Sequence, residues 1–523
     1  MEQAIYKSFA SSYHRFGDHE ALVDGDKRFS YRDLGAFIDG VAGILLDKEV
    51  GKGARVGMLM GNEWEFVAVL YALFKIGAVP VLFNTRLTPA ELSGQVSAAQ
   101  PDMIVTSISL QELAQQIESS NCEIWVCGGE CVVGKDSDLF IGASVNEADL
   151  GLVMFTSGST GSAKAVAVSQ GALAEKMTNF LLSKNAYADD DVFLLFNPLF
   201  HQGGFSFLVF LLACGSKIVL QKSLRASYVV GALRAESVTQ MLLLPPSLCN
   251  RIKACPNESE ASFPSVRRVT LTGGGVSPAA VRDVLSLFPS ACLSIGYGHT
   301  EGAASLSLQV SREDCLENPA ILEKVGTPDL GCEVRLLDDR GDPVGPNEVG
   351  QLWARSSAMF DGYLGHQASF VNGWFPTGDL MECDDEGLYR FVARRGDMVK
   401  SGGENVYPSE VEHVLESHPA VEEAAVFPLP HAYLGEMIAA AVVLRSGSEV
   451  TFDQLVEWCR LHMASYKKPR AWIRMVELPR TPSGKKSRHA LRERCVSIQD
   501  GMWFLPDTIS DGISVSASKK IDN

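Results

Sequence analysis

The sequence predicts an α/β protein: a large N-terminal layered α/β domain over residues 1–395, with a β-barrel-like subregion inside it, and a small C-terminal α+β domain over 396–496. Three observations predict it. Short apolar β-branched runs alternate with amphipathic stretches through the first three-quarters of the chain, the beat of strands and helices stacked in layers. After Gly326 that beat gives way to strands joined by turns, and near Gly396 a new strand-and-helix unit begins. The length of 523 residues also exceeds what one hydrophobic core supports, so at least two domains are expected.

In chain order, 55–60 reads as a strand, 63–76 as a helix with apolar residues at helical spacing, and 78–83 as a strand again. Strands return at 192–196, 217–220, 241–244 and 268–271. Beyond Gly326, 334–337 and 349–354 read as strands separated by the turn-forming Asp338-Asp339-Arg340-Gly341. The C-terminal unit holds helices at 408–417 and 452–462 and strands at 424–428 and 438–444. From 497 to 523 the chain is polar and rich in Ser, Asp and Lys, apart from an apolar island at 502–505, so a disordered tail is expected.

Composition narrows the function. With 46 basic and 63 acidic side chains the net charge is -17, which argues against a general nucleic-acid or anionic-membrane binder. The longest apolar stretch, 205–214, is too short to span a bilayer, which takes about 20 residues. The N-terminus carries neither the basic nor the apolar segment of a signal peptide. Twelve cysteines are scattered singly without the paired spacing of a zinc site, and read as reduced thiols. Together these imply a cytoplasmic protein without integral membrane association.

One stretch carries chemistry by itself. The apolar run 152–155 leads into Thr156-Ser157-Gly158-Ser159-Thr160-Gly161-Ser162-Ala163-Lys164. A strand entering a Gly/Ser/Thr loop that ends in lysine suits a phosphate cradle: glycines let backbone N–H groups approach the oxygens, hydroxyls add donors, and Lys164 offsets charge. It lacks the Gly-Lys-Ser/Thr ending of the Walker loop. A flexible linker of small residues is the competing reading.

Further motifs follow in a fixed order: Pro198-Leu199-Phe200-His201, Gly273-Gly274-Gly275, Gly296-Tyr297-Gly298-His299-Thr300-Glu301 and Trp374-Phe375-Pro376-Thr377-Gly378-Asp379-Leu380. Then come Arg394-Arg395-Gly396-Asp397, Ser401-Gly402-Gly403-Glu404-Asn405-Val406-Tyr407-Pro408 and Pro479-Arg480-Thr481-Pro482-Ser483-Gly484-Lys485. This set resembles the AMP-forming adenylating superfamily of acyl- and aryl-CoA synthetases, adenylation domains and beetle luciferases, from about residue 10 to 495.

The resemblance implies an acid–thiol ligase. A carboxylic acid reacts with ATP to give an acyl-adenylate and pyrophosphate, and a thiol, that of coenzyme A, then displaces AMP. It implies that Gly273, Gly274 and Gly275 admit the adenine, that Tyr297 stacks on it beside Gly298, and that Asp379 and Arg394 hold the ribose. Thr300 and Glu301 would sit at the α-phosphate. Glu301, with Thr156, would hold Mg²⁺, a hard cation suited to oxygen ligands. Lys485 would serve adenylation, where attack on phosphorus builds negative charge. Gly396 would be the hinge of a mobile small domain, and Gly402 and Gly403 would make room for the pantetheine arm of CoA.

The chain departs from the family pattern at Ala163, Ala165, Gln170 and Gln351, none of which removes a group essential to binding or chemistry. By analogy the acid pocket is lined by 201–207, 273–276 and 297–305, with His201 counted among the catalytic residues. No carboxylate stands beside His201 to pair with a substrate ammonium, so an α-amino acid is disfavoured. An aromatic or medium-chain aliphatic acid is expected. An acyl-carrier protein in place of CoA remains an alternative acceptor, and a non-catalytic binding protein on the same fold remains an alternative of another class. The oligomeric state stays open.

Overall fold

The computed structural model describes residues 4–494 except 118–121, 129–142, 157–163, 183–186, 244–247, 254, 256–260, 273–277, 303, 366–369, 402–403, 432–433 and 482–484; beyond 494 it describes the short strands 496–498, 502–504 and 514–516. Two large sheets share one core. The first has thirteen strands. Its central part is parallel: Glu20–Asp24, Lys217–Leu220, Val192–Leu195, Gln240–Leu243, Arg268–Thr272 and Cys292–Gly298 lie side by side. The second has seven strands around parallel Val79–Leu82, Arg55–Leu59 and Met103–Ser107.

Helices lie between the sheets. Tyr31–Asp47 starts with a capping box, in which the Ser30 side chain accepts from the Asp33 amide and the Asp33 carboxylate accepts from the Ser30 amide. The next helix, Trp64–Ile76, buries every residue except Glu65 and Lys75. It ends at Gly77, whose left-handed φ of 74° is one that glycine accepts readily. Its side chains share a single cluster with Val56 and Met58 of one sheet and Phe193 and Leu195 of the other. Each fully buried Leu or Phe there stabilises the fold by roughly 1.5–3 kcal/mol, which is why this helix has apolar residues on all faces.

After Cys292–Gly298 the large sheet turns antiparallel, through Ser305–Val310, Lys324–Pro328, Tyr389–Arg394, Phe375–Cys383, Gly350–Ser356 and Cys332–Leu337. The expected barrel-like subregion is, in the described pairings, an open run continuous with the parallel core. Lys324–Pro328 uses both of its edges, on Ser305–Val310 and on Tyr389–Arg394, so the outer strand Cys332–Leu337 has nothing there to close onto. Gly326 makes this packing possible: with φ of 92°, an added Cβ would lie 1.9 Å from the Ser307 carbonyl oxygen.

A third sheet holds Val399–Ser401, Glu404–Val406, Val421–His431, Gly435–Leu444 and Ala471–Met475. Alternate residues of its long hairpin face two cores. Ala424, Val426, Ile438 and Ala440 enter one, with Val411 and Leu415 of helix Pro408–Glu416 and Leu455 of helix Phe452–His462. Ala425, Phe427, Met437 and Ala439 enter the other, with Leu491. In the stretch after 497, expected to be a disordered tail, Ser514–Ser516 pairs with Ala471–Met475.

Candidate active site

The parallel strands of the large sheet end on one side, where open α/β sheets bind their ligands. Cys292–Gly298 delivers Tyr297 and Gly298 there, then a turn in which the Gly302 amide donates to the His299 carbonyl at 2.9 Å. That turn holds Thr300 and Glu301. Three strands away Val192–Leu195 leads to His201, which precedes helix Gln202–Cys214 at the N-cap position without capping it through its side chain. The His201 ring lies 4.6 Å from that of Phe200. The expected adenine loop, Gly273, Gly274 and Gly275, follows Arg268–Thr272 but lies outside the described residues.

Glu301 is held from two sides. The Tyr363 hydroxyl donates to its Oε1 at 2.8 Å, and His299 Nδ1 lies 3.2 Å from its Oε2. Burial pushes the carboxyl up, but the hydrogen bonds from His299 and Tyr363 outweigh it and bring it to about 2. A buried carboxylate therefore stays ionised at neutral pH. That suits a divalent cation held by one or two carboxylates and by substrate phosphates.

Asp379 and Arg394 face each other across neighbouring strands, with Arg394 Nε 3.1 Å from Asp379 Oδ1. The Tyr297 hydroxyl donates to Asp379 Oδ2. Burial and the Asp379 charge hold the Tyr297 proton on, raising its pKa well above the ordinary range. Asp379 is only 2% exposed, and its two oxygens retain acceptor capacity beyond these two partners.

Lys485 enters from the C-terminal unit. Its turn is closed by the Thr481 amide donating to the Lys485 carbonyl at 2.7 Å and by the Lys485 amide donating to Thr481 Oγ1 at 3.2 Å. Burial pulls the ammonium pKa down, and the Arg394 charge lowers it further, while Asp379 and Glu301 raise it. Lys485 thus stands within the electrostatic reach of Arg394, Asp379 and Glu301, although even the nearest of them in the chain, Arg394, is 91 positions away (485 − 394).

Of the expected phosphate loop, the described residues include only the neck. Strands Leu150–Phe155 and Ala165–Ser169 pair antiparallel, the Thr156 amide donates to the Lys164 carbonyl at 3.1 Å, and the Lys164 amide lies 3.4 Å from Thr156 Oγ1. Lys164 Nζ sits 5.0 Å from the centre of the Tyr363 ring, which links the neck to Glu301. Ser157, Gly158, Ser159, Thr160 and Gly161 lie outside the described residues, as do Gly402 and Gly403. The structure therefore joins Tyr297, Asp379, Arg394, Glu301 and Lys485, adds Thr156 and Lys164 through Tyr363, and sets His201 on a separate element. Two participants have no role in the sequence reading. Tyr363 stands in a turn-rich stretch with no pattern to mark it, and His299 lies inside a motif that was read for its neighbours.

Sequence profiles of known families match this chain twice: that of AMP-binding enzymes over residues 9–364, and that of the AMP-binding enzyme C-terminal domain over 410–485. The chain belongs to the AMP-binding enzyme family. It is an enzyme of the AMP-forming ligase class. A 2-succinylbenzoate–CoA ligase of Bacillus mycoides is 31% identical over 490 residues, covering 91% of this chain and 96% of the relative. Among solved structures, o-succinylbenzoate CoA synthetase from Bacillus subtilis in complex with its acyl-adenylate superposes with a TM-score of 0.80 at 26% identity, covering 96% of this chain and all of the other. The same enzyme in complex with ATP and magnesium ion gives 0.79 at 27%, covering 94% and all of it. Among the described residues no helix is long and apolar enough to cross a membrane.

Proposed function

We propose that this AMP-binding enzyme joins an aromatic carboxylic acid to coenzyme A through an acyl-adenylate. The observation that carries the reading is the convergence of Lys485, from the C-terminal unit, with Asp379, Arg394 and Glu301 of the N-terminal one. A lysine brought to the Asp379–Arg394 ion pair and an ionised glutamate fits a reaction that builds charge on phosphorus. The relatives named above support the acid class and the acceptor.

In this mechanism Asp379 and Arg394 take the ribose, and Tyr297 with Gly273, Gly274 and Gly275 takes the adenine. Thr300 lies at the α-phosphate. The Thr156–Lys164 loop wraps the outer phosphates, with Lys164 offsetting their charge. The acid carboxylate, positioned beside His201, attacks the α-phosphorus; the P–O bond to pyrophosphate breaks as the new one forms. Lys485 binds the carboxylate and phosphoryl oxygens, so its charge counts most in the transition state. Glu301 and the Thr156 hydroxyl would hold Mg²⁺, which would supply positive charge to offset that of the phosphates. The thiol of CoA, threaded past Gly402 and Gly403, then attacks the acyl carbon and expels AMP.

The small unit, set at 396–496, turns between the two steps about Gly396. An added Cβ at Gly396 would meet nothing within 4 Å, so packing does not require glycine there, whereas a hinge does use its freedom. The test is pyrophosphate and AMP release with Mg-ATP across aromatic and C4–C12 acids, with and without CoA, in the wild type and in Lys485→Ala. Acyl-CoA formed from aromatic acids, with adenylation lost by roughly 100-fold or more in the variant, is the expected result. Pyrophosphate exchange without any transfer to CoA would move the acceptor to a carrier protein, and a variant as active as wild type would remove Lys485 from the mechanism.

A further inference from the structure

The segment that carries Lys485 is tied to its own unit on both sides. Before the lysine, Arg480 Nη2 meets both carboxylate oxygens of Glu423, at 2.6 and 2.7 Å. After it, Arg488 reaches three acceptors: Nε donates to the Val426 carbonyl at 2.9 Å, Nη2 to Glu412 Oε1 at 2.7 Å and Nη1 to Asp397 Oδ2 at 3.2 Å. The Glu412 side chain is only 8% exposed, and its Oε1 also accepts from the Val426 amide at 2.8 Å. Burial alone would pull the Arg488 pKa down, and the Glu412 and Asp397 charges instead hold it above its ordinary value. Such a buried pair is weak evidence for stability, because desolvation offsets much of the attraction. A planar fork of fixed donors is suited to setting geometry.

The two ends of this fork matter for the reaction. Arg488 lies three positions after Lys485, and Asp397 directly follows Gly396. Arg488 therefore joins the segment bearing the lysine to the first residue beyond the proposed hinge, across 91 positions of chain (488 − 397). On the reading above, on which this inference rests, the small unit turns about Gly396 and brings Lys485 to the α-phosphate. We infer that Arg488 and Asp397 are positioning residues for Lys485. Their ion pair makes the hinge end and the lysine's segment move as one piece, so a turn at Gly396 delivers the ammonium to one fixed place. Neither residue touches substrate. Both belong to the small unit, so the pair is kept as that unit turns, and the second step, which does not use Lys485, does not need it.

The experiment uses the full-length enzyme and separates the two steps. One assay follows pyrophosphate release from Mg-ATP and the aromatic acid that wild type activates best, without CoA; the other follows thioester formation from the synthetic acyl-adenylate of that acid and CoA. Asp397→Asn removes the hinge end and leaves the buried Arg488–Glu412 pair in place, while Arg488→Lys keeps the charge but loses the fork. Both are expected to lower the kcat of adenylation by roughly 10-fold or more, with the KM of ATP and of the acid and the rate of the thioester step within about 2-fold of wild type. The double variant is expected to be no worse than the poorer single one, because both act through one contact. If Arg488→Lys does not fold, Asp397→Asn alone decides. Equal falls in both steps make the pair structural and overturn the inference, as do additive losses, or a rise in the KM of ATP alone, which would assign Asp397 to the nearby Arg394. Adenylation lost in Lys485→Ala but intact in Asp397→Asn sinks the inference and spares the ligase reading. Adenylation unchanged in Lys485→Ala, or a wild type silent with every acid, brings down both.

Discussion

Glu301→Gln tests the charge at the centre of the site. Glutamine has the shape of the protonated acid, so the substitution removes the ionised form and little else. A carboxyl that ordinarily titrates at 4.5 and here titrates at about 2 has its charge favoured in the folded protein by about 3 kcal/mol, at 1.36 kcal/mol per pH unit. The side chain is 15% exposed, so solvent screens little of this. Because the folded value is depressed, the stabilisation is fully present above 4.5 and is lost as pH falls through about 2. Urea unfolding of the full-length protein should therefore find the variant less stable by about 3 kcal/mol at pH 7 and by roughly half as much at pH 3. Adenylation, which needs the cation this carboxylate is proposed to hold, should fall by roughly 100-fold or more. Equal stability at pH 7, or a gap that widens in acid, would refute the reasoning that Tyr363 and His299 stabilise an ionised Glu301.

Four further substitutions examine the neighbours of Lys485 and the role of glycine backbone conformation. Asp379 raises the Lys485 pKa and Arg394 lowers it, so Asp379→Asn should move the alkaline limb of the pyrophosphate-exchange profile to lower pH and Arg394→Gln to higher pH. Shifts in the same direction would separate Lys485 from these groups. Gly326→Ala forces a Cβ to 1.9 Å from a carbonyl oxygen at a φ of 92° and should destabilise by about 3 kcal/mol or more. Gly447→Ala, at φ of 77° with nothing within 4 Å, carries the strain without the clash and should cost only about 1 kcal/mol; equal effects in denaturation would assign the Gly326 cost to backbone strain alone.

Much of the fold was legible because periodicity reports burial. The stretch 63–76 reads as a helix and Trp64–Ile76 forms one; 217–220 and 452–462 coincide with the observed strand and helix. Periodicity does not report partners, which is why the run after Gly326 reads as barrel-like while its pairings extend the parallel sheet. In the site, Asp379 and Arg394 stand in ordered motifs, but their pairing follows from the register of Phe375–Cys383 against Tyr389–Arg394. Tyr363 belongs to no motif: it stands in the short strand Gly362–Tyr363, and only folding brings its hydroxyl to Glu301.

By itself the sequence determined the local choices: which runs are strands or helices, where glycine permits a turn, and which loop has the donors for a phosphate. Those depend on residues a few positions apart. The tertiary structure decided the ionisation of Glu301, the hydrogen bond from Tyr297 to Asp379, and the set of charges around Lys485. Charge states depend on burial and on neighbours within a few ångströms, and folding draws those neighbours from residues 297 to 485, a distance along the chain over which spacing carries no information.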